Sequence, residues 1–248
     1  MIDSIFIGVL ALQGAFAEHS ASLQRLELDR NIDVILVRTP GDLSECDALI
    51  IPGGESTTIA LLARLAGLLD PLKEFVKSKP VWGTCAGAIL LSESIVGAKK
   101  GGQELLGGTS VKIARNGWGS QVESFEVPLS LSDVGDTSRP FRGFFIRAPV
   151  VLDLSSPSQS GQYPPITIVA RIPPSLLPPS LIESNNVVSE DDPRTIVALR
   201  QGRHLLTTFH PELTEDNRFH EYFMRNCVLA GGMGKDHKPS TATTATFG

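Results

Sequence analysis

The apolar positions fall into two kinds of run. Ile5 to Leu12 is almost continuously apolar, and Asp33 to Val37 and Asp47 to Ile51 repeat the pattern on a smaller scale. Short apolar runs without polar alternation are expected of parallel strands covered on both faces. Between them the spacing turns helical. Glu18 to Leu28 carries Leu23 and Leu26 on one side, and Ile59, Leu62, Leu65 and Ala66 recur after the third run. A second helical piece, Pro71 to Lys77, leads into Pro80–Leu90, which reads as a buried strand, a tight turn at Cys85 and a helix that starts at once. This alternation predicts an α/β fold with a mainly parallel sheet. In such sheets ligands sit at the carboxyl ends of the strands. Gly53-Gly54 and Cys85 both fall at predicted strand ends, so they are expected to share one crevice.

The texture changes beyond Leu91. Gly101-Gly102 and Gly107-Gly108 mark loops, and Val111–Ala114, Val122–Val127 and Phe144–Arg147 read as shorter, antiparallel strands. Most of the 17 prolines lie between Pro128 and Pro193, with serine-rich pieces at Ser155–Ser160 and Pro173–Ser180. That composition predicts surface loops or insertions on the core. Thr195–Leu199 and His204–Thr208 form a predicted hairpin around Gln201-Gly202. Thr214 is placed to cap a last helix that buries Phe219, Tyr222 and Phe223. The expected organisation is a single domain over residues 1–230, with insertions within about 150–193 and a disordered tail over 231–248.

Composition narrows the function. The 248 residues carry a net charge of −5, which gives no general electrostatic reason to bind nucleic acid or a membrane surface. Three cysteines, Cys46, Cys85 and Cys227, suit free thiols in a reducing compartment. The apolar N-terminus lacks a basic leader and runs into a core pattern, so it reads as a first strand and the chain as cytoplasmic.

Small residues flank Cys85 on both sides, as a sharp strand-to-helix turn demands, and hydrolases hold nucleophiles on such turns. The helix behind it would favour a thiolate; the alternative is an inert buried thiol. A cysteine nucleophile needs a base and an orienter. Of the five histidines, His237 lies in the tail, His220 reads as a solvated helix residue, His204 as a strand residue and His19 as a residue at the crevice edge. His210 follows a strand and precedes Pro211-Glu212. In extended backbone residues i and i+2 point the same way, so Glu212 could orient His210 toward Cys85. The alternative is a strand-end turn with a solvated glutamate. Gly53-Gly54-Glu55-Ser56 is a glycine turn, a phosphate loop or half of an oxyanion hole, with one N–H from Gly54 and one from Ala86. It matches neither common phosphate-loop pattern. No spacing typical of metal ligands occurs.

Gly83-Thr84-Cys85-Ala86-Gly87 with His210-Pro211-Glu212 resembles the class I, triad glutamine amidotransferases. The chain more closely resembles the glutaminase subunits of pyridoxal 5'-phosphate synthase. The matching pieces are Gly8–His19, Ile51–Thr58, Ala114-Arg115-Asn116, Gly119-Ser120-Gln121, Phe144 with Ile146–Pro149, and Thr208–Leu213. Together they cover about residues 5–230. The resemblance implies a three-layer, doubly wound, flavodoxin-like sheet and hydrolysis of L-glutamine by Cys85, His210 and Glu212, with no cofactor. It implies a glutamine site lined by Gly54, Glu55, Ser56, Arg115, Ile146 and Arg147. It also implies a partner, a (β/α)8 synthase subunit that receives the ammonia, with the Gln13 loop and the face around His19 as candidate contacts. The long Pro/Ser-rich segments exceed the compact bacterial pattern. Gly-Gly-Glu-Ser-Thr-Thr and Ala-Arg-Asn argue against an amidotransferase of another pathway, and the intact Cys, His and Glu set argues against a non-catalytic binder.

Overall fold

The structure is a computed structural model that describes residues 4–97, 102–115, 117–118, 124–132, 134–154, 163–177 and 188–230. The expected pattern appears first in the N-terminal half. Strands β1 (Ile5–Leu10), β2 (Ile32–Val37), β3 (Ala48–Ile51) and β4 (Val81–Thr84) alternate with helices α1 (Phe16–Gln24), α2 (Pro40–Ser44), α3 (Ser56–Leu65) and α4 (Leu69–Ser78). Helix α5 (Ala86–Leu91) follows β4 after one residue. The second half contributes β5 (Ser92–Val96), β6 (Thr109–Ala114), β7 (Ser124–Leu131), β8 (Phe141–Ile146), β9 (Val150–Asp153), β10 (Ile166–Arg171), β11 (Ile196–Gln201) and β12 (His204–Thr207). Helix α6 (Arg218–Phe223) runs into a wider π-type turn over Met224–Leu229.

Nine strands form one sheet in the order β2-β1-β3-β4-β12-β11-β10-β7-β8, and β5-β6-β9 form a small second sheet. The pairings from β2 to β12 are parallel, and those from β12 to β8 are antiparallel. Alternating side chains of the parallel strands pack on both faces. Ile7, Ile50 and Trp82 join Leu23 of α1 and Phe219 and Phe223 of α6 in one apolar cluster. Leu49, Ile51 and Val81 join Ile59 of α3, Leu72 and Phe75 of α4 and Leu90 of α5 in another. This is the three-layer arrangement the apolar runs called for. The small sheet covers α5 and the β11–β12 hairpin through Val111, Ile113, Val151, Ile196 and Leu206.

The stretch from Pro128 to Pro193, expected to be loops or insertions apart from a short strand at Phe144–Arg147, supplies further core strands. Val169 and Ala170 of β10 are buried, as are Phe141 and Phe145 of β8. Pro128 itself sits in the middle of β7. It lies opposite Arg142 of β8, while β10 reaches β7 only at Ser130 and Leu131. Its missing N–H therefore falls on an unpaired edge, where a strand tolerates proline. The serine-rich piece Ser155–Ser160, the end of the piece Pro173–Ser180 (178–180) and the tail at 231–248 lie outside the described residues.

Two smaller expectations also change. Helix α3 buries Ile59, Ala60 and Ala63, whereas Leu65, counted in the apolar stripe, is 74% exposed. Thr214 does not cap α6. Its hydroxyl accepts from the Asp216 amide in a local turn, and the helix begins at Arg218 with Asp216 accepting from the Arg218 amide and guanidinium. Among the described residues no helix is long and apolar enough to cross a membrane.

Candidate active site

The site is built on the turn between β4 and α5. Cys85 has φ +48° and ψ −100°, a conformation that costs a non-glycine residue about 1–3 kcal/mol and persists only where the surroundings over-determine it. They do so here. The Cys85 amide donates to the Thr207 carbonyl of β12 at 2.8 Å, and its carbonyl accepts from the Ile89 amide at 3.2 Å. Gly87 lets α5 press onto β3, since a Cβ there would stand 2.1 Å from the Ile51 carbonyl oxygen. Helix α5 has only six residues, and Cys85 stands at its N-cap without a side-chain cap hydrogen bond.

His210 lies just past β12, with its amide donating to the Phe144 carbonyl of β8 at 2.8 Å. The imidazole Nδ1 is 2.8 Å from Glu212 Oε1, and the Cys85 side chain stands close enough to the ring to raise its pKa. The His–Glu contact arises differently from the expected extended i, i+2 geometry. Pro211–Leu213 is a 3-10 turn, and it curls the Glu212 carboxylate back under the ring. Glu212 is buried rather than solvated. Burial opposes charge on His210, but the neighbouring Cys85 side chain and the Glu212 carboxylate that accepts from its ring outweigh it, and the pKa is raised to about 10. Burial likewise opposes ionisation of Glu212. The His19 and His210 rings beside it prevail, and its pKa is lowered.

Gly53 packs directly on this pair: a Cβ there would meet the His210 ring at 2.3 Å and the Cys85 Cβ at 3.4 Å. The turn that follows is tied to the loop after β1. Gln13 Oε1 accepts from the Glu55 amide at 2.9 Å, and the Gly53 carbonyl accepts from the Ala15 amide at 3.2 Å. Gly54 is exposed at the tip and Ala86 is buried behind Cys85. Glu55 caps α3, accepting from the Thr58 amide and from the Thr57 and Thr58 hydroxyls. Desolvation works against its charge, yet these donors push its pKa down to about 2. Its other oxygen accepts from Arg115 at 2.9 Å, so Arg115 stands at this end of the crevice in an ion pair. Ser56 is buried and donates to Gln103. Ile146 and Arg147 close β8, two and three residues beyond the Phe144 that bonds His210. Arg147 has φ +45°, the other strained non-glycine residue among the described ones. Asn116 and Gly119-Ser120-Gln121 lie outside the described residues. Among the described residues no group of His, Cys, Asp and Glu is arranged to hold a metal ion.

Two histidines sit elsewhere than expected. His19, assigned to the crevice edge and a partner-facing surface, is fully buried, with Nε2 3.4 Å from Glu212 Oε2 and 3.2 Å from Thr84 Oγ1. His220, expected in solvent, is fully buried, and its Nε2 is 2.9 Å from His19 Nδ1. Burial lowers the pKa of each to about 3, so both are neutral at neutral pH. The sequence reads His220 as a solvated helix residue. It is the buried side of α6, against Trp82, that carries the ring.

The sequence profile of the SNO glutamine amidotransferase family matches residues 9–164 and 173–229. A probable pyridoxal 5'-phosphate synthase subunit PDX2 of Arabidopsis thaliana is 45% identical, over 88% of this chain and 84% of that protein. The pyridoxal 5'-phosphate synthase subunit PdxT of Chloroflexus aurantiacus is 39% identical, over 88% and 98%. A solved structure described as a glutamine amidotransferase superposes with a TM-score of 0.66 at 39% identity, over 88% of this chain and 97% of that one.

Proposed function

This chain belongs to the SNO glutamine amidotransferase family, and from that membership and the geometry of its site we propose that it hydrolyses L-glutamine to glutamate and ammonia for a pyridoxal 5'-phosphate synthase. The observation that carries the reading is the line from Cys85 to His210 to Glu212 at the ends of β4 and β12. The Cys85 thiolate attacks the side-chain amide carbon. The oxyanion that forms is met by the Gly54 and Ala86 N–H groups. His210 passes its proton to the departing nitrogen, the C–N bond breaks, and ammonia leaves a glutamyl thioester on Cys85. Water, deprotonated by His210, attacks the thioester and releases glutamate and the thiolate. Glu212 holds Nδ1–H so that Nε2 faces the sulfur. Gly54, Glu55, Ser56, Arg115, Ile146 and Arg147 bind the substrate, with a guanidinium suited to the α-carboxylate.

The ammonia passes to a separate (β/α)8 synthase subunit that docks on the Gln13 loop. The hydrogen bonds from that loop to Gly53 and Glu55 support a direct link from docking to the oxyanion turn. Ammonia release from glutamine is therefore expected to be slow for the chain alone and much faster with the synthase present. Cys85→Ala is expected to abolish release while the protein stays folded; wild-type turnover by that variant would refute the mechanism.

A further inference from the structure

The catalytic carboxylate has two oxygens, and the triad uses one. Glu212 Oε1 meets His210, while Oε2 is buried with no hydrogen-bond partner within normal geometry among the described residues. His19 Nε2 stands 3.4 Å from it. Behind it stands His220, 2.9 Å away, and beside it the Thr84 hydroxyl, one residue before the nucleophile. The Trp82 indole lies edge-on to both rings, at 5.4 Å from His19 and 4.8 Å from His220. All of these groups except Glu212 come from outside the triad, from α1, β4 and α6.

The hydrogen-bond inventory selects one arrangement of protons. Were His19 protonated on Nδ1, its Nε2 lone pair would face a carboxylate oxygen, and His220 would be left with an N–H at Nδ1. That atom has no partner among the described residues, and buried orphan donors are rare in native structures. With the proton on Nε2 of both rings, His220 donates to His19, His19 donates toward Glu212 Oε2 with Thr84 sharing the donor, and the unpartnered atom is an acceptor. The geometry points to His19 as a positioning residue for the reaction, oriented by His220 and Thr84, which clamps the second oxygen of Glu212 and thereby fixes His210 against Cys85.

The proposal rests on the glutaminase reading for its catalytic meaning, so its test includes two measurements that need no glutamine. In ¹⁵N-histidine spectra of the intact protein, His19 and His220 should both appear as Nε2–H tautomers; an Nδ1–H tautomer at His19 overturns the clamp even if every variant misfolds. Alkylation of Cys85 by iodoacetamide, followed on its peptide by mass spectrometry, should slow about tenfold in His19→Leu, and His19→Gln, which restores a donor near Nε2, should recover most of the rate. In glutamine hydrolysis with the synthase, His19→Leu should lower kcat by about 10–100-fold, as losing an orienting partner does elsewhere, with KM unchanged. A folded His19→Leu with wild-type alkylation and kcat, or a His19→Gln no better than His19→Leu, overturns the proposal. Normal tautomers and alkylation effects without any glutamine turnover would instead count against the glutaminase reading alone.

Discussion

The parallel strands and the β7–β8 hairpin meet at the same histidine but are held in opposite ways. Strands β1, β3 and β4 carry mostly aliphatic side chains, with Trp82 the one buried aromatic and Phe6 exposed, and are covered on both faces by helices. The hairpin is joined to the sheet through two residue pairs, Ala170–Leu131 and Arg171–Ser130. Rings hold it in place instead. Phe145 stacks on Phe125 at 4.8 Å, Phe141 and Phe145 both approach Phe209, and Phe219 closes the group against Phe141 and Phe209. Phe209 immediately precedes His210. The parallel half thus supplies a rigid base for Cys85, and the aromatic group seats the loop that carries His210 and the edge that carries Ile146 and Arg147. A site assembled this way depends on a region with few backbone ties.

The sharpest way to break that contrast is Phe145→Ala. Removing a fully buried ring should cost about 3–5 kcal/mol in urea unfolding, and reduce glutamine turnover by more than the stability loss accounts for. A variant that stays fully active would mean the hairpin is dispensable to the His210 loop. Acid should next expose the parallel half, which holds the buried histidines. Burial lowers His19 and His220 to about 3 and His204 to about 4, against about 6.5 in an unfolded chain. The unfolded state then binds more protons, and stability should fall by about 1.4 kcal/mol per pH unit for each histidine as pH drops from 6.5 toward 4. His210 adds no slope there. Its pKa is raised to about 10, so its contribution is complete below about 6.5 and is lost only as pH rises through 10. Unfolding midpoints that do not move between pH 7 and pH 5 would contradict this burial.

A smaller effect isolates strain at Cys85. Cys85→Gly should be more stable than Cys85→Ala by about 1 kcal/mol, because only glycine accepts φ +48° without cost, and both should be inactive. Equal stabilities would remove the argument that the turn is strained. The least change is expected at Leu65. It is 74% exposed on α3, and Leu65→Lys should alter the melting free energy by less than about 0.5 kcal/mol.

The two regions were also unequally legible. The continuous runs at Ile5 and Asp47 identify buried strands because both faces are covered, the run at Asp33 gives the half-buried edge strand β2, and short strands joined by helices leave little choice of topology. The juxtaposition of the candidate residues was legible for the same reason: Cys85 and His210 follow strands whose ends fall together in such a sheet. Strand β8 was read only in its last part, from Phe144, and β10 was hidden, since prolines at 164 and 165 precede it and its partners β7 and β11 lie some distance off in sequence. His19 and His220 were misread because their burial depends on packing between α1, β4 and α6. A local pattern of helix and strand cannot show which ring of α6 turns inward against Trp82.

The central claim is that Cys85 is the nucleophile, charged by His210 and Glu212. Incubating the protein and its synthase with glutamine, quenching in acid and mapping peptides by mass tests it most directly. A glutamyl adduct on the Cys85 peptide, absent in Glu212→Gln at the same time point, is the predicted result. Steady ammonia release with no adduct on Cys85 under any quench time, or the adduct on Cys46 or Cys227, would contradict it.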